Sequence, residues 1–381
     1  MKQQPLKLLF DARFIAPQMT GVGYCTERLL MALRERHSDI ELHVVYHDPI
    51  DPSLLDRNSI RAPVRFDDHP AGDFWRNLSL PRIMAARKID LYHGPAFYGI
   101  QRNLNIPQMI TIHDMAVYDR PDTFSHRFAW YFRKVIASAC KRATLLVTST
   151  RFVAGQIEQR FPNTRNRISV VPYGVAPEFR ETDPAASSEF KLQWSLPDRY
   201  ILDVATIEPR KNILTLLNAY AIYRRRCITP LPLIIAGKDG YQAEMVKRRA
   251  READIEGAVR FLGYVSNSDI AHLYRLATML VFPSLYEGFG LPILEAMAGG
   301  CPVIASNVTS LPEVCGDAAS LIDPMSTTAI SNAMLMLTDH ENIRQDLIAR
   351  GLRHVAGLTW SDVADRTTHL YRSCVQGKGT T

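Results

Sequence analysis

No stretch of this 381-residue chain approaches the roughly eighteen consecutive apolar residues of a membrane-spanning helix. There is no basic-then-apolar leader at its start either: Leu6 to Phe10 is a strand-length run that ends in Asp11. The expected location is the cytoplasm. The six cysteines, at positions 25, 140, 227, 301, 315 and 374, include no Cys-x-x-Cys pair and no cluster with histidine at metal spacing. This excludes a zinc framework and favours free buried thiols over disulfides. Short-period repeats are missing, and Asp-x-Asp occurs nowhere. The glycine pair Gly21 and Gly23 is followed by Thr26 where a dinucleotide fingerprint wants a third glycine, which disfavours a nicotinamide dehydrogenase.

Charge is present but unevenly shared. Residues 1–180 hold 25 Lys and Arg against 17 Asp and Glu, so the net +6 of the chain originates in its first half. With no zinc spacing and no basic region leading into heptads, nucleic acid is not the expected partner. An anionic membrane surface or a phosphate-bearing lipid suits dispersed basic residues better.

A hydrophobic content of 46% suffices for two cores at this length. Apolar runs of strand length alternate with helical periodicity in both halves, the pattern of doubly wound α/β sheets. Residues 7–13, 42–46, 90–93, 108–114, 144–149 and 168–175 read as strands of a first domain, with 48–73 as loop. Those at 200–205, 233–237, 261–265, 279–283 and 301–305 read as strands of a second. Ala185-Ala186-Ser187-Ser188 looks like the linker, which divides the chain into 1–185, 186–358 and a terminal helix over 359–381.

The stretch Glu287 to Gly300 organises the second half. It lies between two buried-strand runs, Pro292 suits a first helical position, and Gly299-Gly300 suits a helix exit. The N–H groups of Gly288, Phe289, Gly290 and Leu291 then sit at a helix start, a place that favours phosphate. Carboxylates at Glu287 and Glu295 do not help an anion; they accept hydrogen bonds from hydroxyls. A ligand with a phosphate between a sugar and a ribose satisfies both. Upstream, Glu208-Pro209-Arg210-Lys211-Asn212 puts two cations at the end of a strand.

Tyr286-Glu287-Gly288-Phe289-Gly290-Leu291-Pro292 followed by Glu295-Ala296-Met297-Ala298 resembles the paired-glutamate motif of the family 4 retaining glycosyltransferases. The resemblance implies a GT-B fold, two doubly wound Rossmann-like domains facing a central cleft. It implies that Lys211, Glu287, His113 and Arg210 are catalytic. Lys211 meets the leaving diphosphate, Glu287 binds donor-sugar hydroxyls, and His113 touches the sugar near its anomeric carbon, with Asp114 as helper. Gly21 and Gly23 face the donor diphosphate, Glu295 binds ribose hydroxyls, and Tyr264 and Val265 border the nucleobase. Many members of the family carry Arg six residues before the lysine, where this chain has Ala205; either Arg210 compensates or one phosphate contact is missing.

With no Asp-x-Asp to hold a divalent metal, leaving-group charge falls to side chains and helix starts, so neither a metal nor another cofactor is expected. The segments at 208–212 and 237–241 look most like bacterial mannosyltransferases that use GDP-mannose, with a UDP-hexose or deoxysugar donor left open. A lipid-linked or oligosaccharide acceptor in surface polysaccharide or lipopolysaccharide assembly is implied. The aromatic and basic helix at 124–142 is either a core helix with a solvated face or a peripheral contact with the inner membrane surface. A sugar-nucleotide epimerase or hydrolase of the same fold, working without acceptor, is the alternative, and a non-catalytic scaffold is disfavoured.

Overall fold

A computed structural model describes residues 5–19, 21–65, 71–102, 104–181, 183–252 and 254–377. Residues 1–119, 126–174 and 359–381 form one compact unit; residues 120–125 and 175–358 form the other.

The first unit carries strands β1 (Leu6–Asp11), β2 (Ile40–Tyr46), β3 (Ile60–Arg61), β4 (Leu91–Gly94), β5 (Gln108–Thr111), β6 (Leu145–Thr148) and β7 (Ile168–Val170). They pair in parallel in the order β3-β2-β1-β4-β5-β6-β7. The second unit carries β8 (Ile201–Val204), β9 (Leu233–Ala236), β10 (Val259–Gly263), β11 (Met279–Phe282), β12 (Val303–Ser306) and β13 (Ser320–Ile322). Their order is β10-β9-β8-β11-β12-β13, again parallel. Strands covered by helices on both faces read as continuous apolar runs, which is why Leu145-Leu146-Val147 and Leu233-Ile234-Ile235 are recognisable without alternation. Among the described residues no helix is long and apolar enough to cross a membrane.

In each sheet the winding direction reverses once, between β1 and β4 and between β8 and β11. At such a point the helices of neighbouring connections lie on opposite faces, and a crevice opens beyond the carboxyl ends of the two strands. Whatever follows β8 and β11 is therefore brought to one place. Those segments are Glu208–Asn212 and Glu287–Leu291.

The expected linker is a helix. Pro184–Gln193 is helical, Asp183 caps it by accepting the N–H of Ala186, and Pro184 occupies the first turn, where its missing N–H costs nothing. The Ala-Ser composition was misleading because the cap and the proline precede it. Phe179 is buried beside Tyr274, ring centroids 6.0 Å apart, so the chain joins the second unit from Val175, ahead of residue 186. The stretch 48–73, expected to be loop, holds a short turn at Pro52–Leu54, β3, and the start of helix Ala71–Arg87; residues 66–70 lie outside the described residues.

Helix Trp360–Val375 belongs to the first unit. Thr359 caps it, Trp360 stacks on Tyr173 at 5.7 Å, and the Tyr371 hydroxyl lies 2.7 Å from Nδ1 of His93. A side chain on Gly174 would collide with the backbone of Thr359 and Trp360, so only glycine lets the two passages of the chain run side by side there.

Candidate functional site

The loop after β8 is a single turn, Pro209–Lys211, closed by Asn212 at φ 60°. Asparagine tolerates that left-handed conformation better than most residues, and here its amide donates to Pro283 O at 3.1 Å and Pro324 O at 2.8 Å. The N–H of Leu285 donates to Arg210 O at 2.9 Å. Side chain and backbone together fasten this turn to the end of β11.

Glu287 sits where the two loops meet. Its Oε1 accepts from Lys211 Nζ at 2.6 Å and its Oε2 from Arg210 Nη1 at 2.9 Å. Arg210 also donates to Tyr286 O at 3.0 Å and, through Nη2, to Glu208 at 2.9 Å. Burial pushes the Glu287 carboxyl up, but the charges of Lys211 and Arg210 more than reverse this and hold it below its ordinary value. It is an anion clasped by two cations, all at the switch point of the second sheet.

The loop that presents it is held from behind by residues not singled out in the sequence. Thr309, at φ 58°, accepts the Glu287 N–H at 3.2 Å, and the Ser310 hydroxyl donates to Glu287 O at 2.8 Å. Gly290 has φ 103°, and a Cβ there would sit 2.8 Å from Leu311, so this motif glycine is required by backbone and packing together. Helix Leu291–Ala298 starts directly after it, with Pro292 at the second helical position, where the expectation was the first. Gly288, Phe289, Gly290 and Leu291 lie around that start. Glu295, one turn in, is 8% exposed and accepts the Tyr274 hydroxyl at 3.3 Å. Beyond β10, Tyr264 is exposed and Val265 buried.

In the first unit the expected residues lie at the carboxyl edge of its own sheet. Gly21 and Gly23 fall within the first turn of helix Gly21–Arg36, not ahead of it, and the preceding Thr20 lies outside the described residues. A Cβ on Gly23 would meet Phe14 O at 2.6 Å, whereas Gly21 has open space. Asp114 caps the next turn, accepting the N–H of Ala116 at 2.9 Å.

His113 is committed inward. Its Nε2–H donates to Pro95 O at 2.7 Å, and Nδ1 accepts from the Tyr173 hydroxyl at 2.6 Å. Burial lowers it to about 4, opposed by the Pro95 bond, so it is neutral near pH 7. A sugar contact through either nitrogen requires exchanging one of these bonds. Also beneath this edge, Asp11 and Arg13 form a buried ion pair at 2.6 Å, which the sequence did not announce.

Among the described residues no three His, Cys, Asp or Glu side chains are grouped to hold a metal ion. The chemistry on offer in the second unit is cations and a helix start for an anion, with two carboxylates for hydroxyls.

Two family models match the chain, Glycosyltransferase Family 4 over residues 19–179 and Glycosyl transferases group 1 over residues 186–354. The chain is 34% identical over 286 residues to the O-antigen chain mannosyltransferase B of Escherichia coli, covering 74% of each. It is 29% identical over 251 residues to the O-antigen chain mannosyltransferase RfbU of Salmonella typhimurium, covering 65% of each. Among solved structures, sucrose-phosphate synthase from Thermosynechococcus elongatus superposes with a TM-score of 0.78 at 21% identity, over 98% of this chain and 100% of that one. Anabaena HepE in complex with UDP and glucose does so at 0.76 and 18%, over 97% and 100%. At those identities the structures show a shared fold of two Rossmann-like domains.

Proposed function

This chain belongs to glycosyltransferase family 4, and we propose that the sugar it moves is mannose, from GDP-mannose to a lipid-linked or growing glycan in bacterial surface polysaccharide assembly. The observation that carries the reading is the Glu287 carboxylate gripping Lys211 and Arg210 at the switch point of the donor-side sheet. The mannosyltransferase names of its relatives support the choice of sugar.

In this scheme the donor diphosphate takes Lys211 and Arg210 as counter-ions and meets the N–H groups about Gly288 to Leu291. Glu287, released from the cations, accepts hydrogen bonds from sugar hydroxyls, and Glu295 does so from the ribose. Tyr264 and Val265 border the base. Gly21, Gly23, His113 and Asp114 are the substrate contacts proposed for the first unit. Charge develops on the leaving diphosphate as the glycosidic bond breaks, so fixed cations stabilise the transition state more than the ground state. No side chain is assigned as a nucleophile. Retention of configuration and independence of metal are part of the proposal.

The acceptor side is proposed to meet an anionic membrane surface. Helix His126–Arg142 exposes Phe128 and Trp130, and helix Ala71–Arg87 exposes Phe74. The two helices are joined by the Tyr131 hydroxyl on Asp73 at 2.8 Å, and Lys134 Nζ lies 3.6 Å over the Trp130 ring. Exposed aromatics interleaved with lysine and arginine suit a lipid interface. A cytoplasmic-face location follows from the same proposal.

The test is to incubate the protein with a panel of nucleotide sugars, with and without lipid-linked acceptors and with a chelator. Release of GDP coupled to glycan growth, unchanged by chelation, is expected. Turnover without an acceptor points to an epimerase or hydrolase, and activity lost to chelator and restored by manganese overturns the metal-free scheme.

A further inference from the structure

Asp203 is out of place by every local rule. It lies in β8, paired with Ile235 of β9, in the middle of an apolar strand, and is 1% exposed. Aspartate is among the residues least suited to a strand interior, and a buried carboxylate without partners is strongly unfavourable. Neither of its oxygens has a hydrogen-bond partner among the described residues. An apolar side chain would satisfy the packing, so the carboxyl calls for an account in terms of its neighbours.

Those neighbours are the site. Asp203 is one residue from the end of β8, and the loop that follows carries Lys211. The charged groups that act on it are Lys211, which favours its ionised form, and Glu287, which opposes it. Tyr274, on the adjoining helix, senses both Asp203 and Glu295. Burial is the largest influence and keeps the proton on, with half-ionisation at about 7. Asp203 is thus a buried, unpartnered carboxyl near the end of β8, within electrostatic reach of Lys211 and Glu287 and poised between acid and anion.

Resting on the donor reading above, we propose that Asp203 is a positioning residue that acts through Lys211: as an acid it leaves the lysine to the donor diphosphate, and binding the diphosphate draws a proton onto it. The direction follows from electrostatics. A diphosphate beside Lys211 takes up the positive charge that favours ionised Asp203 and adds negative charge nearby, and both shift Asp203 toward the acid. By linkage, raising the pH ionises Asp203 and weakens diphosphate binding. An ionised Asp203 competes for Lys211 just as Glu287 does, without a sugar hydroxyl to turn to.

The experiment is calorimetric titration of GDP into the full chain, near pH 7.5, in two buffers of different ionisation enthalpy. Wild type, Asp203→Asn and Asp203→Leu are compared; the two variants remove the titrating group in a polar and an apolar way, so one fold failure does not end the test. The wild type takes up about half a proton more per GDP than either variant, and its affinity falls roughly tenfold more between about pH 6 and about pH 8. Equal proton counts and parallel pH profiles overturn the proposal. A second arm needs no ligand: acylation of the Lys211 amine, read by mass spectrometry, is slower in wild type than in the variants above about pH 8. Equal Lys211 reactivity overturns the proposal by itself. Absence of GDP binding in all three proteins, with the reactivity difference intact, sinks the donor reading and leaves the Asp203–Lys211 coupling standing.

Discussion

Lys211 Nζ lies 2.6 Å from Oε1 of Glu287, while Arg210 Nη1 holds Oε2 at 2.9 Å, so one buried carboxylate is shared by two cations. A diphosphate that recruits those cations must first compete with Glu287. Glu287→Gln removes the competitor but also the acceptor for sugar hydroxyls. GDP should then bind about fivefold more tightly while transfer falls about a hundredfold, a split between ground-state and transition-state effects. Calorimetry with GDP alongside steady-state transfer checks it; weaker GDP binding would mean that Lys211 and Arg210 do not face the diphosphate.

Lys211→Ala separates the same terms from the other side. Charge on the leaving diphosphate is greatest in the transition state, so turnover should fall about a hundredfold or more, with a much smaller loss of GDP affinity. Arg210 is also tied to Glu208 and to Tyr286 O, which makes it the less mobile cation; Arg210→Ala should disturb the loop as well as the chemistry. Intact turnover in Lys211→Ala would remove the central role given to this residue.

Glu295 is fixed by the Tyr274 hydroxyl at 3.3 Å. If its carboxylate binds ribose hydroxyls, Glu295→Ala should weaken GDP binding about tenfold, the scale of a charged hydrogen bond lost from a buried site. Tyr274→Phe, which keeps the carboxylate and loosens its orientation, should weaken it about threefold. Both should leave kcat nearly untouched. Unchanged GDP affinity in Glu295→Ala would place the ribose elsewhere.

Much of the fold was legible because parallel strands buried on both faces are unbroken apolar runs, and because caps carry their own signals: Thr150, directly before helix Arg151–Arg160, accepts the Val153 N–H. Glu287 and Lys211 could be paired on paper because each follows a strand at a switch point, where topology forces convergence. Less was legible wherever a role depends on what lies behind a loop. Thr309 and Ser310 look like ordinary turn residues until they are seen holding the backbone of Glu287. His113 looked outward from its strand end, yet Pro95 and Tyr173 claim both of its nitrogens. Asp203 was hidden by its strand, whose apolar neighbours fix the element and say nothing of the carboxyl inside it.

The exposed side chains Phe74, Phe128 and Trp130 are an unusual burden on a surface unless something covers them at work. Replacing Phe128 and Trp130 by serine should cut sedimentation with vesicles rich in anionic lipid about tenfold, with no change in thermal stability. Binding by the wild type should fall with added salt, as expected for basic residues at a charged surface. Equal sedimentation of variant and wild type would return the helix His126–Arg142 to the simpler role of a core helix with a solvated face.

Asp203 makes a prediction about stability that involves no ligand. Burial raises its carboxyl from an ordinary 3.8 to about 7, with Lys211 pulling down and Glu287 pushing up. A group that holds its proton more tightly in the folded chain stabilises the fold fully below the unfolded value, and that contribution is lost as the pH rises through the folded value. Over such an interval the loss is on the order of 4 kcal/mol. Glu287 has the opposite sign: its folded value is depressed, so its contribution is present above the unfolded value and fades as the pH falls through the folded one. Denaturant unfolding of wild type and Asp203→Asn across about pH 4 to about pH 8 isolates the first effect, because both proteins keep Glu287. The stability of wild type relative to the variant should decline from about pH 4 to about pH 7 and level off above it. A constant difference would show that Asp203 is ionised in the folded chain throughout that range, as it is in the unfolded one.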